Sequence, residues 1–119
     1  MKLEDFDFRV VYENDIIDNC IAVYNGGSEY VMLEDEDIKG DIKIELWTGF
    51  RDKGGVKIFA GDILNFRGKN YLVEFNKHLE LSVICRTKDS VYGMHTSKGN
   101  FKNCKVVGNI HENKELLDV

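Results

Sequence analysis

Proline is absent from this sequence, and this absence limits how the chain can turn. Reversals of direction must be made by Gly, Asn and Asp, which occur in short clusters along the chain. Without an X-Pro bond, folding has no slow phase from proline isomerisation. The sequence therefore predicts tight turns punctuated by glycine.

Cysteine is scarce, and its placement argues against a metal site or a disulfide framework. The three cysteines are far apart, odd in number and without a C-x-x-C pair, whereas zinc sites usually show close ligand pairs. The three histidines lie at no ligand spacing near them. We expect reduced, mostly buried thiols and neither metal nor cofactor; the residues concerned are Cys20, Cys85, Cys104, His78, His95 and His111.

Long hydrophobic runs are also missing. No apolar stretch approaches the ~18 residues that span a bilayer. The start of the chain, Met1-Lys2-Leu3-Glu4-Asp5, lacks the apolar core of a signal peptide. We therefore expect no membrane association and a cytoplasmic location.

Charge is present but uneven. The 119 residues carry a net charge of −5. Residues 1–49 hold 4 Lys and Arg against 13 Asp and Glu, a net −9, and residues 50–119 hold 12 against 8, a net +4. Such asymmetry can mark a nucleic-acid surface or an acidic segment that faces a partner. Attraction between the two halves, within one chain or between copies, is the interpretation we favour.

The first third of the chain alternates in the manner of short strands. In residues 5–12, Phe6, Phe8, Val10 and Tyr12 share one face, which predicts a half-buried strand. Residues 20–33 read as two strands around a turn at 25–28. Residues 14–21 fit either a helix or a strand, and their three isoleucines favour the strand. The acidic run 34–41, "EDEDIKGD", predicts a solvated loop and lacks the ligand spacing of an EF-hand.

Alternation returns at residue 42 and continues almost to the end. Ile42, Ile44 and Leu46 are predicted to share one face of a strand, opposite Lys43, Glu45 and Trp47, and the turn 51–55 leads into "VKIF". Further strands are expected at 62–75, 79–86 (from Leu79 onward), 90–95 and 101–110, and the tail "HENKELL" suits one or two helical turns. About five short strands linked by tight turns favour a small barrel or sandwich.

The segment "VKIFAGDILNF" has a structural explanation. Gly55 allows the preceding hairpin to reverse, and Gly61 allows a bend into the next strand. Asp62 is expected to accept hydrogen bonds from backbone amides of the turn. A catalytic base would need a nearby acid or nucleophile and a pocket, and the sequence shows neither.

Three segments of the chain resemble the YopX-like proteins of phages and prophages. "TGFRDKGGVKIFAGDIL" resembles the family pattern T-G-L-x-D-K-x-G-x-x-I-x-x-G-D-I, "VVGNIHENKELL" resembles V-I-G-N-I-x-E-N-P-E-L-L, and "FDFRVVYEN" resembles K-F-R-V-W. Lys114 stands where the family often has proline, and residues 14–41 match no family pattern. The matching positions are Phe8, Arg9, Val10, Thr48, Gly49, Asp52, Lys53, Gly55, Ile58, Gly61, Asp62, Ile63, Val107, Gly108, Asn109, Ile110, Glu112, Asn113, Glu115, Leu116 and Leu117.

The resemblance implies a phage origin, assembly into homo-oligomers and an SH3-like β-barrel in the C-terminal half. It carries over no catalytic residue. Together with the strand pattern, it predicts a mainly β protein in two parts. Residues 1–45 form an acidic, β-rich or α+β subdomain, and residues 46–119 form a small SH3-like barrel with a short C-terminal helical turn.

The first functional hypothesis is a phage-encoded accessory protein without enzymatic activity. It would bind copies of itself or an unknown host or phage protein, in the host cytoplasm. Exposed aromatic residues are the usual anchors of such interfaces, and the candidates are Trp47, Phe50 and Tyr92. For Trp47, a place in the barrel or interdomain core is the interpretation we favour.

The second hypothesis is nucleic-acid binding along a basic hairpin edge, with one aromatic ring for base stacking. The acidic first half argues against it because phosphate would be repelled. Its candidate residues are Arg51, Lys53, Lys57, Arg67, Lys69 and Tyr71. An enzyme is the least favoured class, because G-x-S-x-G, P-loop and H-E-x-x-H motifs are absent.

Overall fold

The computed structural model describes residues 1–24 and 26–117 and shows a mainly β protein, as predicted. Its antiparallel strands form sheets of four, five and three strands. The strands are β1 (Phe8–Tyr12), β2 (Asp15–Ile17), β3 (Ala22–Tyr24), β4 (Tyr30–Met32), β5 (Asp37–Lys39), β6 (Ile42–Arg51), β7 (Lys57–Phe59), β8 (Asp62–Phe66), β9 (Lys69–Phe75), β10 (Leu81–Arg86), β11 (Val91–Gly93) and β12 (Lys105–Asn109).

The four-stranded sheet has the order β2-β1-β6-β7 and connects the two halves of the chain. The first part of β6 pairs with β1, from Ile42 opposite Tyr12 to Leu46 opposite Phe8. The second part pairs with β7, from Trp47 opposite Phe59 to Arg51 opposite Lys57, across an irregularity in register. The predicted boundary between residues 45 and 46 therefore lies inside one continuous strand.

The five-stranded sheet has the order β11-β10-β9-β8-β12. The sheets of the molecule curl and include a half-barrel, whereas the specific SH3-like topology stays a prediction. The larger core packs here, around the fully buried Phe101, Ile58, Leu64 and Val73. Alternation identified these strands because one face of each is covered by this core.

The three-stranded sheet, β3-β4-β5, covers a second and smaller core of Val10, Val31 and Ile38. It corrects the prediction of a solvated loop at 34–41, because residues 37–39 form a strand. The density of acidic residues predicted the loop. Ile38 is nevertheless buried against this core, and the free energy of burying it outweighs the repulsion between its acidic neighbours. Residues 14–21 contain strand β2 and no helix. Asn25 of the predicted turn lies outside the described residues.

Three predicted orientations are wrong. The face of β1 opposite Val10 was expected to meet solvent, yet Val11 is buried and Arg9 is nearly so. In β6, Ile44 was assigned to the apolar face with Ile42 and Leu46, but its side chain is 53 % exposed. Leu79 was expected to begin an inward-facing strand, but it is exposed in a turn at φ 61°. Alternation fixes which residues share a face, and only packing decides which faces are covered.

The last quarter adds two short helical segments. Helix α1 (Lys98–Phe101) replaces predicted turn residues and the start of the last predicted strand, and it carries Phe101 into the larger core. The predicted helical turn of the tail is present as a 3-10 helix at Lys114–Leu117. Among the described residues, no helix is both long and apolar enough to cross a membrane.

Candidate functional site

Asp52 holds the β6–β7 hairpin in place. Its Oδ1 accepts hydrogen bonds from the backbone N–H groups of Gly54 (2.8 Å) and Val56 (2.9 Å), and its Oδ2 accepts one from Val106 in β12 (2.9 Å). Lys53 N–H also donates to the carbonyl of Cys104 at 3.0 Å. Burial raises the pKa of Asp52 and is the largest single influence, but the three backbone donors and the charge of Lys105 together outweigh it, so the pKa lies below its ordinary value. This carboxylate therefore has a structural role, because it links the hairpin to β12.

Gly61 and Asp62 join the larger core to the N-terminal strand. Gly61 has φ 90°, and a Cβ there would collide with the carboxylate of Glu45. Asp62 accepts from the N–H of Phe59 at 2.8 Å, as the turn prediction required, and also from Arg9 Nη1 at 2.6 Å. Burial raises the pKa of Asp62 and outweighs the attraction of the Arg9 guanidinium.

The polar network around Arg9 extends to the end of the chain. Arg9 Nε donates to Glu45 Oε1 at 2.8 Å, and Glu45 Oε2 lies 2.9 Å from Nε2 of His111. The side chains of Arg9, Glu45 and His111 are each only 13–15 % exposed. Four segments distant in sequence therefore meet through the side chains of Arg9, Glu45, Asp62 and His111. We interpret this network as structural, because its members contact each other and no nucleophile lies among them.

A groove of about 740 Å³ lies beside the β6–β7 hairpin and α1. We name it the hairpin groove and define it by the two aromatic and four cationic side chains that line it: Trp47, Phe50, Arg51, Lys53, Lys98 and Lys102. The pairing of β6 with β7 shifts in register between Trp47 and Arg51, in the part of β6 that lines the groove. The hydrogen bonds that Asp52 accepts fix the hairpin, which forms one wall of the groove.

The electrostatics of the hairpin groove are one-sided. Within the described residues, none of its four cations forms a salt bridge. The carboxylate of Asp52, which also lines the groove, is buried and already accepts three backbone hydrogen bonds. The groove therefore presents a concentration of positive charge on a chain whose net charge is −5.

The structure places two of the three predicted interaction anchors in the hairpin groove. Trp47 is half-buried, its Nε1–H donates to the carbonyl of Phe50 at 2.9 Å, and both side chains line the groove. Tyr92 is exposed on β11, where the ammonium of Lys69 lies 4.7 Å from its ring centroid. Tyr92 does not line the groove.

The predicted nucleic-acid edge is divided. Arg51 and Lys53 line the groove, while the ammonium of Lys57 pairs with Asp7 at 2.8 Å and lies 4.6 Å from the centroid of the Trp47 ring. The remaining candidates, Arg67, Lys69 and Tyr71, do not line it. Tyr71 is only 7 % exposed and belongs to the larger core, which removes it as a platform for bases.

Sequence reasoning missed Lys98 and Lys102 as members of the site. Their spacing of four residues places them on one side of a helical turn, and Ser97 caps that turn by accepting from Asn100 N–H at 3.2 Å. The Ser-x-x-Asn pattern was the available signal for a helix here. The meeting of this helix with the β6–β7 hairpin depends on tertiary packing.

The structure is that of a mainly β protein. The turn at Gly61 and Asp62 and the β6–β7 hairpin, which Asp52 holds in place, connect the two halves of the chain. The chain belongs to the YopX family: the family model described as "YopX protein" matches residues 11–118.

A solved structure, that of protein EF1440 from Enterococcus faecalis, is similar to this chain with 22 % sequence identity and a TM-score of 0.54. The match covers 94 % of this chain and 97 % of that one, so the two share a fold along almost their whole lengths. Comparison with curated proteins gave no match.

Proposed function

We propose that this protein is a phage-encoded, non-enzymatic interaction module that binds a partner protein through the hairpin groove. The observation that carries the proposal is the combination of Trp47 and Phe50 with four cations that form no salt bridge in the described residues. The resemblance to YopX-like proteins of phages supports the phage origin.

The chemistry of the groove suits a protein interface. Trp and Arg are enriched among the residues that dominate binding energy, and their best positions are concave and partly desolvated. Trp47 and Phe50 are half-buried before any partner arrives, so little side-chain freedom is lost when a partner covers them. The cations repel one another across the groove, and a partner with negative charge would relieve that repulsion.

The non-enzymatic part of the proposal is supported by how the carboxylates are used. Asp52 and Asp62 each accept hydrogen bonds from backbone N–H groups, and Glu45 is held between Arg9 and His111. Groups committed to structural contacts are poorly placed to exchange protons with a substrate.

Site-specific photo-crosslinking would test this function. A photoreactive amino acid replaces Phe50 in the groove or, as a matched control, the exposed Leu79, and both proteins are irradiated in an extract of the organism that carries the gene. We expect a discrete partner to be captured at position 50 only. The purified partner should then bind the wild type and should bind the double variant Lys53→Glu, Lys102→Glu at least about tenfold more weakly, a change of about 1.4 kcal/mol.

The control for charge is the double variant Arg67→Glu, Lys69→Glu, which changes the net charge equally at positions outside the groove. Equal capture at positions 50 and 79, or full binding by the groove variant, would contradict the proposal. Self-assembly is examined separately by sedimentation velocity: a homo-oligomer that Trp47→Ala converts to folded monomer would make a second copy the partner.

A further inference from the structure

We infer that the occupant of the hairpin groove is an acidic polypeptide segment, a short extended run of Asp and Glu side chains. This inference rests on the proposed function and names the chemistry of its partner. The charge of the groove is complementary to that of such a segment. Arg51, Lys53, Lys98 and Lys102 line one groove and form no salt bridge in the described residues; the one carboxylate in the lining, Asp52, is buried and accepts three backbone hydrogen bonds.

Arg51 is held ready for such a partner. Its Nη1 donates to the carbonyl of Gly55 at 3.0 Å, and its guanidinium lies 5.6 Å from the centroid of the Trp47 ring. Because the guanidinium has five N–H donors, most of them stay available for a carboxylate. The backbone bond and the aromatic ring restrict the rotamers of Arg51, which lowers the entropic cost of pairing.

Nucleic acid is less well matched, because its binding as a single strand depends on aromatic faces that accept bases. Trp47 has the cations of Arg51 and Lys57 against its ring, and Phe50 stacks on Phe101 with centroids 4.5 Å apart. Tyr71, the predicted stacking residue, is in the core. The groove thus offers cations without salt bridges and rings that are already partly covered, which suit carboxylates better than stacked bases.

The charge of the rest of the chain also favours a short acidic peptide over nucleic acid. A nucleic-acid strand carries phosphates beyond both ends of any groove, and residues 1–49 with their net −9 would repel that continuation. A short acidic segment can place all of its charge inside the groove and end there. Its binding should weaken with salt, because the lysines are exposed and their charges are screened.

The experiment uses the intact chain and its single tryptophan, Trp47, as a fluorescent reporter inside the groove. Three probes are titrated: a short peptide of alternating Glu and Gly, the same peptide with Gln in place of Glu, and an oligothymidylate of equal extended length. We expect the Glu peptide alone to change Trp47 emission saturably, and added salt to weaken its binding. In Lys53→Glu, Lys102→Glu its affinity should fall at least about tenfold, whereas Arg67→Glu, Lys69→Glu should change it less than about threefold.

Stronger binding of oligothymidylate than of the Glu peptide would overturn the inference in favour of nucleic acid. Equal binding of the Gln peptide, or equal losses in the two double variants, would also overturn it. Circular dichroism confirms that each variant is folded before binding is compared. The two proposals can be refuted independently. If a partner crosslinks at position 50 and the Glu peptide does not compete with it, the proposed interaction through the groove stands and the acidic occupant is refuted.

Discussion

Arg9→Met is the substitution that best tests how this fold is held together. Arg9 donates to Glu45 Oε1 (2.8 Å), to Asp62 Oδ1 (2.6 Å) and to the carbonyl of Ala60 (3.1 Å). The side chains of Arg9 and Asp62 are only 13 % and 4 % exposed. Methionine preserves the apolar stem but leaves two nearly buried carboxylates without their cation.

Breaking a buried ion pair by removing one partner costs about 3–5 kcal/mol, because the remaining charge is desolvated and unpaired. A domain of this size has about 5–15 kcal/mol of stability in total, so the loss should be conspicuous. Lys57→Met is the matched control. It breaks the pair with Asp7 at the same 2.8 Å distance as Arg9–Glu45, but these side chains are 34 % and 39 % exposed. Its expected cost is about 0–1 kcal/mol.

The measurement is equilibrium unfolding in urea, followed by Trp47 fluorescence and far-UV circular dichroism and extrapolated to water. Adding Asp62→Asn to Arg9→Met should restore part of the loss, because one orphaned charge is removed, and the double-mutant cycle gives the coupling energy. A cost for Arg9→Met below about 1 kcal/mol, or one equal to that of Lys57→Met, would refute the view that desolvation of the remaining carboxylates sets the loss of stability.

Three further predictions concern single residues. Asp52→Asn should cost about 1–3 kcal/mol in urea unfolding, because an amide nitrogen replaces one acceptor. Since the backbone donors hold the pKa of Asp52 below its ordinary value, its stabilisation in the wild type is present above that ordinary pKa and is lost as pH falls through the lowered one. Gly61→Ala should destabilise the fold through its φ of 90° and its contact with a carboxylate, whereas Gly99→Ala, with open space around it, should not. Burial raises the pKa of the Cys104 thiol to about 11, so iodoacetamide at about pH 8 should leave Cys104 unmodified in the folded protein and alkylate it in urea, as mass spectrometry would show.

The strands could be predicted from sequence because each has a local cause. In strands β9 and β10, buried residues alternate with more exposed ones where the strands face the larger core. The residues "GDIL" predicted a bend followed by a strand, and Asp62 does accept the N–H of Phe59. The tail predicted a helical turn, which is present at Lys114–Leu117.

The candidate site was only partly predictable. Trp47, Phe50, Arg51 and Lys53 follow one another along one hairpin, so their proximity is local. Lys98 and Lys102 join them through the packing of α1, and that packing depends on Phe101 entering the core and stacking on Phe50. No local pattern encodes a contact across about fifty residues.

The sequence by itself determined the β class, most strand positions, the turns and family membership, because these depend on side-chain periodicity and on backbone preferences over a few residues. Tertiary structure alone decided the pairing of Arg9 with Asp62, 53 residues away, the exposure of Ile44 and the gathering of four cations into one groove. The physical reason is that burial and charge pairing depend on which surfaces meet in space, and in this fold those surfaces come from segments about fifty residues apart.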